Sequence, residues 1–234
     1  MTLVLVPGFT QTAAAWDAVV TRLPAGAGAE PIDVPTGLGF VETAAAIGER
    51  GGRAIYAGYS MGGRLCLRLA LDRPDLVRGL VLLSASPGIA DDAERAARRE
   101  ADEKLARGIE RDGVDAFLER WLRQPLFSTL PEDAAGLDAR RAGNTVATLT
   151  HALRALGPGV QEPLWERLSD LEPSFVPAAG VLDEKYVDIA FAMANRVGSG
   201  VHPVLIGGAG HAAHLENPEG VASLLRRVGH DLTP

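Results

Sequence analysis

A single cysteine, Cys66, in 234 residues leaves no internal disulfide and no cysteine-based metal site. Basic residues are outnumbered by acidic ones, and the formal net charge is -7. That speaks against a nucleic-acid partner, because phosphate binding needs a basic field. It leaves room for an acidic small molecule in a locally basic pocket. No apolar run approaches the length of a membrane span, so no membrane partner is expected. The opening MTLVLVPGFT has neither the charged start nor the apolar length of a secretory signal. The expectation is a soluble, cytoplasmic protein. With 47% hydrophobic and 23% charged residues the composition is that of a folded chain. The length suits one sizeable core plus an insertion.

Short apolar runs alternate with helical patterns. The runs are Leu3–Val6, Ala29–Val34, Arg53–Ala57, Gly79–Leu83, Ser174–Val181 and Val201–Ile206. They are rich in Val, Ile and Leu without polar alternation, as strands buried on both faces of a parallel sheet require. Helical patterns cover Ala13–Leu23, Phe40–Gly51, Gly62–Leu71, Asp188–Arg196 and Pro218–Val228. Alternating β and α units predict an α/β, mostly parallel doubly wound sheet with its ligand site at the carboxyl ends of the strands. Between the fourth and fifth runs no strand pattern occurs. That stretch reads as helices over Asp91–Gly108, Gly113–Arg123, Pro131–Arg141, Thr145–Leu156 and Leu164–Leu168. The expected organisation is a core of residues 1–86 and 171–234 with a helical lid, residues 87–170, inserted after the fourth strand.

Gly58-Tyr59-Ser60-Met61-Gly62 fits G-x-S-x-G between a strand and a helix. In that context the serine sits on a sharp strained turn above the sheet, where only small neighbours fit. The helix behind it points its positive end at the site. Ser60 is therefore the candidate nucleophile. The backbone N–H of Met61 is one candidate oxyanion donor, and that of Phe9, in the Pro7-Gly8-Phe9-Thr10 loop after the first strand, is the other. An orienting acid should follow the serine and a histidine should come last. Asp183, just past the fifth strand, is the preferred acid; Glu184 and then Asp188 are its rivals. His211 on the loop after the sixth strand is the expected base, with His214 in a supporting role. His151 falls in the lid, and His202 and His230 fall outside the expected site. No metal-ligand cluster and no phosphate-binding glycine loop occurs, so no metal or organic cofactor is implied.

Several motifs together resemble one family. They are GYSMGGR at 58–64, Ser86-Pro87-Gly88-Ile89, Glu94-Arg95-Ala96-Ala97-Arg98 followed by Asp102, Trp121-Leu-Arg-Gln-Pro125-Leu-Phe127, GVLDEKY at 180–186 and GHAAHLENP at 210–218. The chain resembles the menaquinone-pathway 2-succinyl-6-hydroxy-2,4-cyclohexadiene-1-carboxylate synthases of the α/β-hydrolase superfamily. The resemblance implies the α/β-hydrolase fold. It also implies a lyase: a Ser-His-Asp triad acts as general base on a cyclohexene ring, and pyruvate is eliminated. Such chemistry suits the same hardware, since a charge stabiliser built for tetrahedral oxyanions also suits an enolate. The implied substrate is a small molecule with several carboxylates, which arginines bind through a planar fork. By position, Arg64, Arg98 and Arg141 match family arginines, with Arg99 and Arg140 as replacements if the helical register slips by one. Trp121 matches a lid aromatic near the substrate, and Tyr59 the residue before the nucleophile. The chain departs from many relatives in having Pro7-Gly8 after the first strand and Asp33-Val-Pro-Thr-Gly-Leu-Gly-Phe40 after the second. The alternatives are a serine hydrolase of small esters, lactones or C–C bonds, and a ligand-binding protein without catalysis.

Overall fold

The computed structural model describes residues 2–232; positions 1, 233 and 234, the outermost of the expected core, lie outside the described residues. Six strands form one sheet, β1 (Leu3–Val6), β2 (Ala29–Pro31), β3 (Ala54–Tyr59), β4 (Val77–Leu83), β5 (Ser174–Gly180) and β6 (Val204–Ile206). Their order is β2-β1-β3-β4-β5-β6, and every pairing is parallel. The chain steps from β1 outward to β2, then returns to the other side of β1 with β3. This reversal opens a crevice between the carboxyl ends of β1 and β3. Phe9 and Ser60 follow those two strands.

Helices cover both faces because the strands are apolar on both. All residues of β1 and β3 are buried. One face packs Ile47, Leu65, Leu69 and Met193 from α2 (Phe40–Gly51), α3 (Met61–Asp72) and α7 (Glu184–Val197) against Val4, Tyr56 and Leu80. The other packs Trp16, Val19, Val221 and Leu225 against Leu5, Ile55 and Val81. Those residues come from a 3-10 turn Ala13–Trp16, α1 (Asp17–Val20) and α9 (Pro218–Asp231). α8 (Ala213–Glu216) is a single turn before α9.

Between β4 and β5 the chain is helical: α4 (Asp92–Leu122), α5 (Leu137–Gly143), α6 (Val146–Leu156) and two 3-10 turns. A small core of Ala106, Ile109, Phe117, Leu118, Leu149 and Leu153 joins these helices, with Phe9 packed against it from the sheet. α4 starts on a side-chain cap, the Asp91 carboxylate accepting Glu94 N–H at 2.8 Å. It is bent at Gly113, whose φ of 82° is non-helical, so the two helices read from the sequence meet there without a loop.

Other elements shift more. The first helical pattern yields only a 3-10 turn and one turn of α1. β2 ends at Pro31, which has no N–H for a ladder. α5 begins at Leu137, six residues later than read, because Pro131–Gly136 forms successive turns and Gly136 is left-handed with φ 64°. α7 begins at Glu184, directly after Asp183. Among the described residues no helix is long and apolar enough to cross a membrane.

Candidate active site

β3 ends at Tyr59 and α3 begins at Met61, which leaves Ser60 alone at the turn with φ 50° and ψ −110°. Side chains seldom adopt a positive φ, and holding one there costs about 1–3 kcal/mol. The neighbours explain how the turn closes. A Cβ on Gly58 would lie 2.5 Å from the Gly62 backbone, and one on Gly62 would lie 2.5 Å from the Pro7 carbonyl oxygen. Both glycines are therefore steric requirements, one for the strand-to-helix reversal and one for passage of the β1 loop.

The acid and histidine arrive on two loops pressed together. Leu182 N–H donates to the Ala209 carbonyl at 2.9 Å, and Val181 N–H to Ile206 at 3.0 Å. A side chain on Gly180 would run into the carbonyl oxygens of Ala209 and Gly210. The result is a contact of 2.7 Å between Asp183 Oδ2 and His211 Nδ1, with both side chains buried. With the Nδ1 proton engaged by the carboxylate, Nε2 is the nitrogen free to take a proton. Glu184 and Asp188 are exposed and lie outside this contact. Ser60 and His211 line one cavity of about 450 Å³. His151 bonds instead to the Leu38 carbonyl at 3.0 Å, and His202 and His230 are exposed.

Phe9 and Met61 line the same cavity. Met61 is the first residue of α3, so its N–H has no partner inside the helix. The Phe9 N–H has no hydrogen-bond partner among the described residues. The loop carrying Phe9 is held on both sides. Gln11 Oε1 accepts Gly8 N–H at 3.2 Å and lies 3.2 Å from His214 Nε2. Because that oxygen faces both, His214 carries its proton on Nε2. The His214 ring is fully buried, 4.2 Å from the Tyr59 ring and 4.9 Å from Trp16. Burial, reinforced by Arg140 and His211, pushes its pKa well below the usual imidazole value, and it stays neutral. Next to Phe9, Thr10 is buried with φ 69°, and its hydroxyl accepts a hydrogen bond from Arg140.

The expected arginines part company. Arg64 on α3 is buried, donates to Gln161 Oε1 at 3.0 Å and Leu156 O at 2.7 Å, and sits 5.6 Å over the Phe40 ring. Burial lowers its pKa to about 10, so it remains a cation at neutral pH. Arg98 on α4 gives its Nε to Asp102 at 2.8 Å, and its two terminal nitrogens have no protein partner among the described residues. Both arginines line the cavity. Arg99 lies outside it and bonds to Gly159 O at 3.2 Å.

Arg141 is a correction to the sequence reading. It points outward into ion pairs with Asp115, Glu119 and Asp138 and does not reach the cavity. The late start of α5 changed the register, so the inward residue is Arg140, 3% exposed. Arg140 still does not line the cavity. Trp121 does, packed edge-on to Phe9 at 5.1 Å with a buried Nε1 that has no partner among the described residues. Tyr59 lies beneath the Phe9 loop, its ring 5.4 Å from His211. Lys185 also faces the cavity, so three cations meet one carboxylate, Glu94, in a protein of net charge -7.

The sequence reading missed the residues that hold others in place. Gln11, Thr10, Gln161 and Asp102 contact residues named in the sequence reading, and Glu216 contacts the backbone on either side of His211. Of these, Thr10, Asp102 and Glu216 lay in segments read from the sequence but carried no assigned role there, and Gln11 and Gln161 gave no local signal.

Comparison with known proteins gives the chain its relatives. The 2-succinyl-6-hydroxy-2,4-cyclohexadiene-1-carboxylate synthase of Escherichia coli O1:K1 / APEC is 33% identical over 172 residues, covering 73% of this chain and 66% of that protein. A Bacillus subtilis (strain 168) relative that provisionally bears the same name is 36% identical over 165 residues, 69% of this chain and 60% of the relative. The chain thus matches less than two thirds of the length of these curated relatives. The structure of MenH from S. aureus superimposes with a TM-score of 0.91 at 25% identity, over 99% of this chain and 94% of that one. A thermophilic esterase from Thermogutta terrifontis shares the fold, with a TM-score of 0.79 at 20% identity over 100% of this chain and 91% of that one. The profile described as the alpha/beta hydrolase family matches residues 3–224, and the chain belongs to that family.

Proposed function

We propose that this protein is a carbon–oxygen lyase. It eliminates pyruvate from a carboxylate-rich cyclohexene to give 2-succinyl-6-hydroxy-2,4-cyclohexadiene-1-carboxylate in menaquinone biosynthesis. One observation carries the reading. The cavity lined by Ser60 and His211 is also lined by Arg64 and Arg98, and the terminal nitrogens of Arg98 have no protein partner among the described residues. A neutral ester gives no reason to set two such cations beside a serine, whereas a polycarboxylate does.

The chemistry follows from the proton path. Asp183 holds the His211 Nδ1 proton, and His211 Nε2 takes the Ser60 proton. Ser60 Oγ then removes a proton from the substrate ring. The charge left on the conjugated oxygen is held by the Phe9 and Met61 N–H groups and the positive end of α3. The carbon–oxygen bond to the three-carbon group breaks, and the departing enolate takes up the abstracted proton as pyruvate. No water is consumed, so the aromatic wall of Phe9, Trp121 and Phe127 fits a site that excludes it. Residues 87–170 act as the lid that closes over this chemistry.

The test compares pyruvate release from the pathway substrate with hydrolysis of a short-chain p-nitrophenyl ester. Fast release that disappears in Ser60→Ala, with poor ester cleavage, supports the lyase. Efficient ester turnover without pyruvate replaces it with a serine hydrolase.

A further inference from the structure

Arg140 is a buried guanidinium with no carboxylate partner among the described residues. Its Nε donates to the Ala135 carbonyl at 2.8 Å, and a terminal nitrogen donates to the Thr10 hydroxyl. Burying an uncompensated cation is unfavourable, and an apolar side chain would fill the space without that penalty. What the cation touches accounts for it. Thr10 adopts φ 69°, a conformation β-branched residues rarely hold, and it directly follows Phe9. Asn144, just past α5, donates its Nδ2 to the Thr10 carbonyl at 2.8 Å and to the Arg140 carbonyl at 2.8 Å. One corner of the helical insertion therefore grips Thr10 by both hydroxyl and carbonyl. On the other side of Phe9, Gly8 N–H is tied through Gln11 to the buried His214. Phe9 lies between an anchor in the core and an anchor in the insertion.

We propose that Arg140 is a positioning residue. Through it and Asn144 the helical insertion holds the Phe9 N–H where negative charge forms above Ser60, so the anion site is complete only when α5 is seated. This inference rests on the reading of Phe9 and Met61 as the charge-stabilising donors. Arg140 stays outside the cavity wall, so its removal acts on the charged transition state rather than on substrate capture.

The test uses two readouts. The first is the second-order rate at which a fluorophosphonate labels Ser60, whose Oγ displaces fluoride while charge grows on the phosphoryl oxygen. The second is kcat and KM for pyruvate release. Arg140→Met is expected to slow labelling and kcat by about 30-fold, less than the full loss of a donor, with KM within about two-fold. Arg140→Lys recovers part of both. Thr10→Gly combined with Arg140→Met loses no more than Arg140→Met alone, because the two act as one unit. Should Arg140→Met not fold, Asn144→Ala carries the same test through its bond to the Thr10 carbonyl. Labelling and kcat at wild-type rates in these variants would overturn the inference, as would a loss confined to KM. If wild type releases no pyruvate while labelling still depends on Arg140, the lyase reading fails and this one stands. Pyruvate release with labelling and kcat independent of Arg140 gives the reverse.

Discussion

The carboxylate of Glu216 brackets His211. Its Oε2 accepts Gly210 N–H at 2.7 Å and its Oε1 accepts Ala212 N–H at 3.0 Å, so the backbone before and after the histidine hangs from one side chain. Gly210 cannot carry a side chain there, because a Cβ would collide with the Thr129 hydroxyl. The imidazole is aimed by its own loop as well as by Asp183.

Glu216→Gln replaces one acceptor by an amide N–H₂ facing a backbone N–H. Hydrogen bonds to charged groups contribute about 1.5–3 kcal/mol each. Losing one is expected to lower the melting temperature by about 3–12 °C for a chain of this size and kcat by roughly ten-fold, with KM little changed. Thermal unfolding by circular dichroism and steady-state kinetics check both. Wild-type values in both would remove the bracket from the account of His211.

Asp183→Asn keeps the shape of the 2.7 Å contact with His211 Nδ1 but can present an N–H to it and favour the wrong tautomer. A loss in kcat on the order of 10⁴ is expected, by analogy with other serine–histidine–acid sites. Ser60→Ala should lose at least as much with the near-ultraviolet dichroism unchanged. A mild loss in Asp183→Asn would point to Glu184 as the partner.

The three expected arginines should separate in kinetics. Arg64→Met and Arg98→Ala each remove a cation from the cavity and should lower kcat/KM by about 10- to 100-fold, as for charged hydrogen bonds of 1.5–3 kcal/mol. Arg141→Ala removes partly exposed ion pairs, worth about 0–1 kcal/mol to stability, and should leave kcat/KM within about two-fold. Equal effects at all three positions would contradict the outward placement of Arg141.

Stability should fall in acid because of His214. Its folded pKa lies well below 6.5, so as pH drops the unfolded chain takes up the proton first. The contribution is complete above about pH 6.5 and is lost as pH falls from there toward the folded pKa, by at most about 1.4 kcal/mol per pH unit. His214→Phe retains the stack on Tyr59 and should flatten this slope between pH 7.5 and 5.5. Parallel slopes in variant and wild type would remove His214 as the cause.

The features legible in the sequence were those made by neighbours in the chain. Strands β1 and β3 announce themselves as apolar runs, and Gly58 and Gly62 flank Ser60 because the turn has no room for more. The order of Ser60, Asp183 and His211 follows from which strands end at the crevice. What stayed hidden depends on contacts distant in sequence. Arg140 finds Thr10 across 130 positions, and no local pattern marks that meeting. The register of α5 was misread because Pro131–Gly136 has helical composition yet forms turns, and a shift in start exchanged Arg141 for Arg140. Gln161 met Arg64 from a loop without periodicity.

The bend at Gly113 has a consequence for how this enzyme could change its diet. A straight helix of 31 residues would run about 46 Å, far past one chamber. Folded at Gly113, its two arms bring Arg98 and Trp121 to the same chamber wall. One arm contributes charge and the other an aromatic surface, and the glycine joins them without a shared side chain. Adding or deleting one residue in an arm turns its face by about 100° and leaves the other arm as it was. Preference for charge and preference for shape can thus drift separately, each on its own half of a hinge.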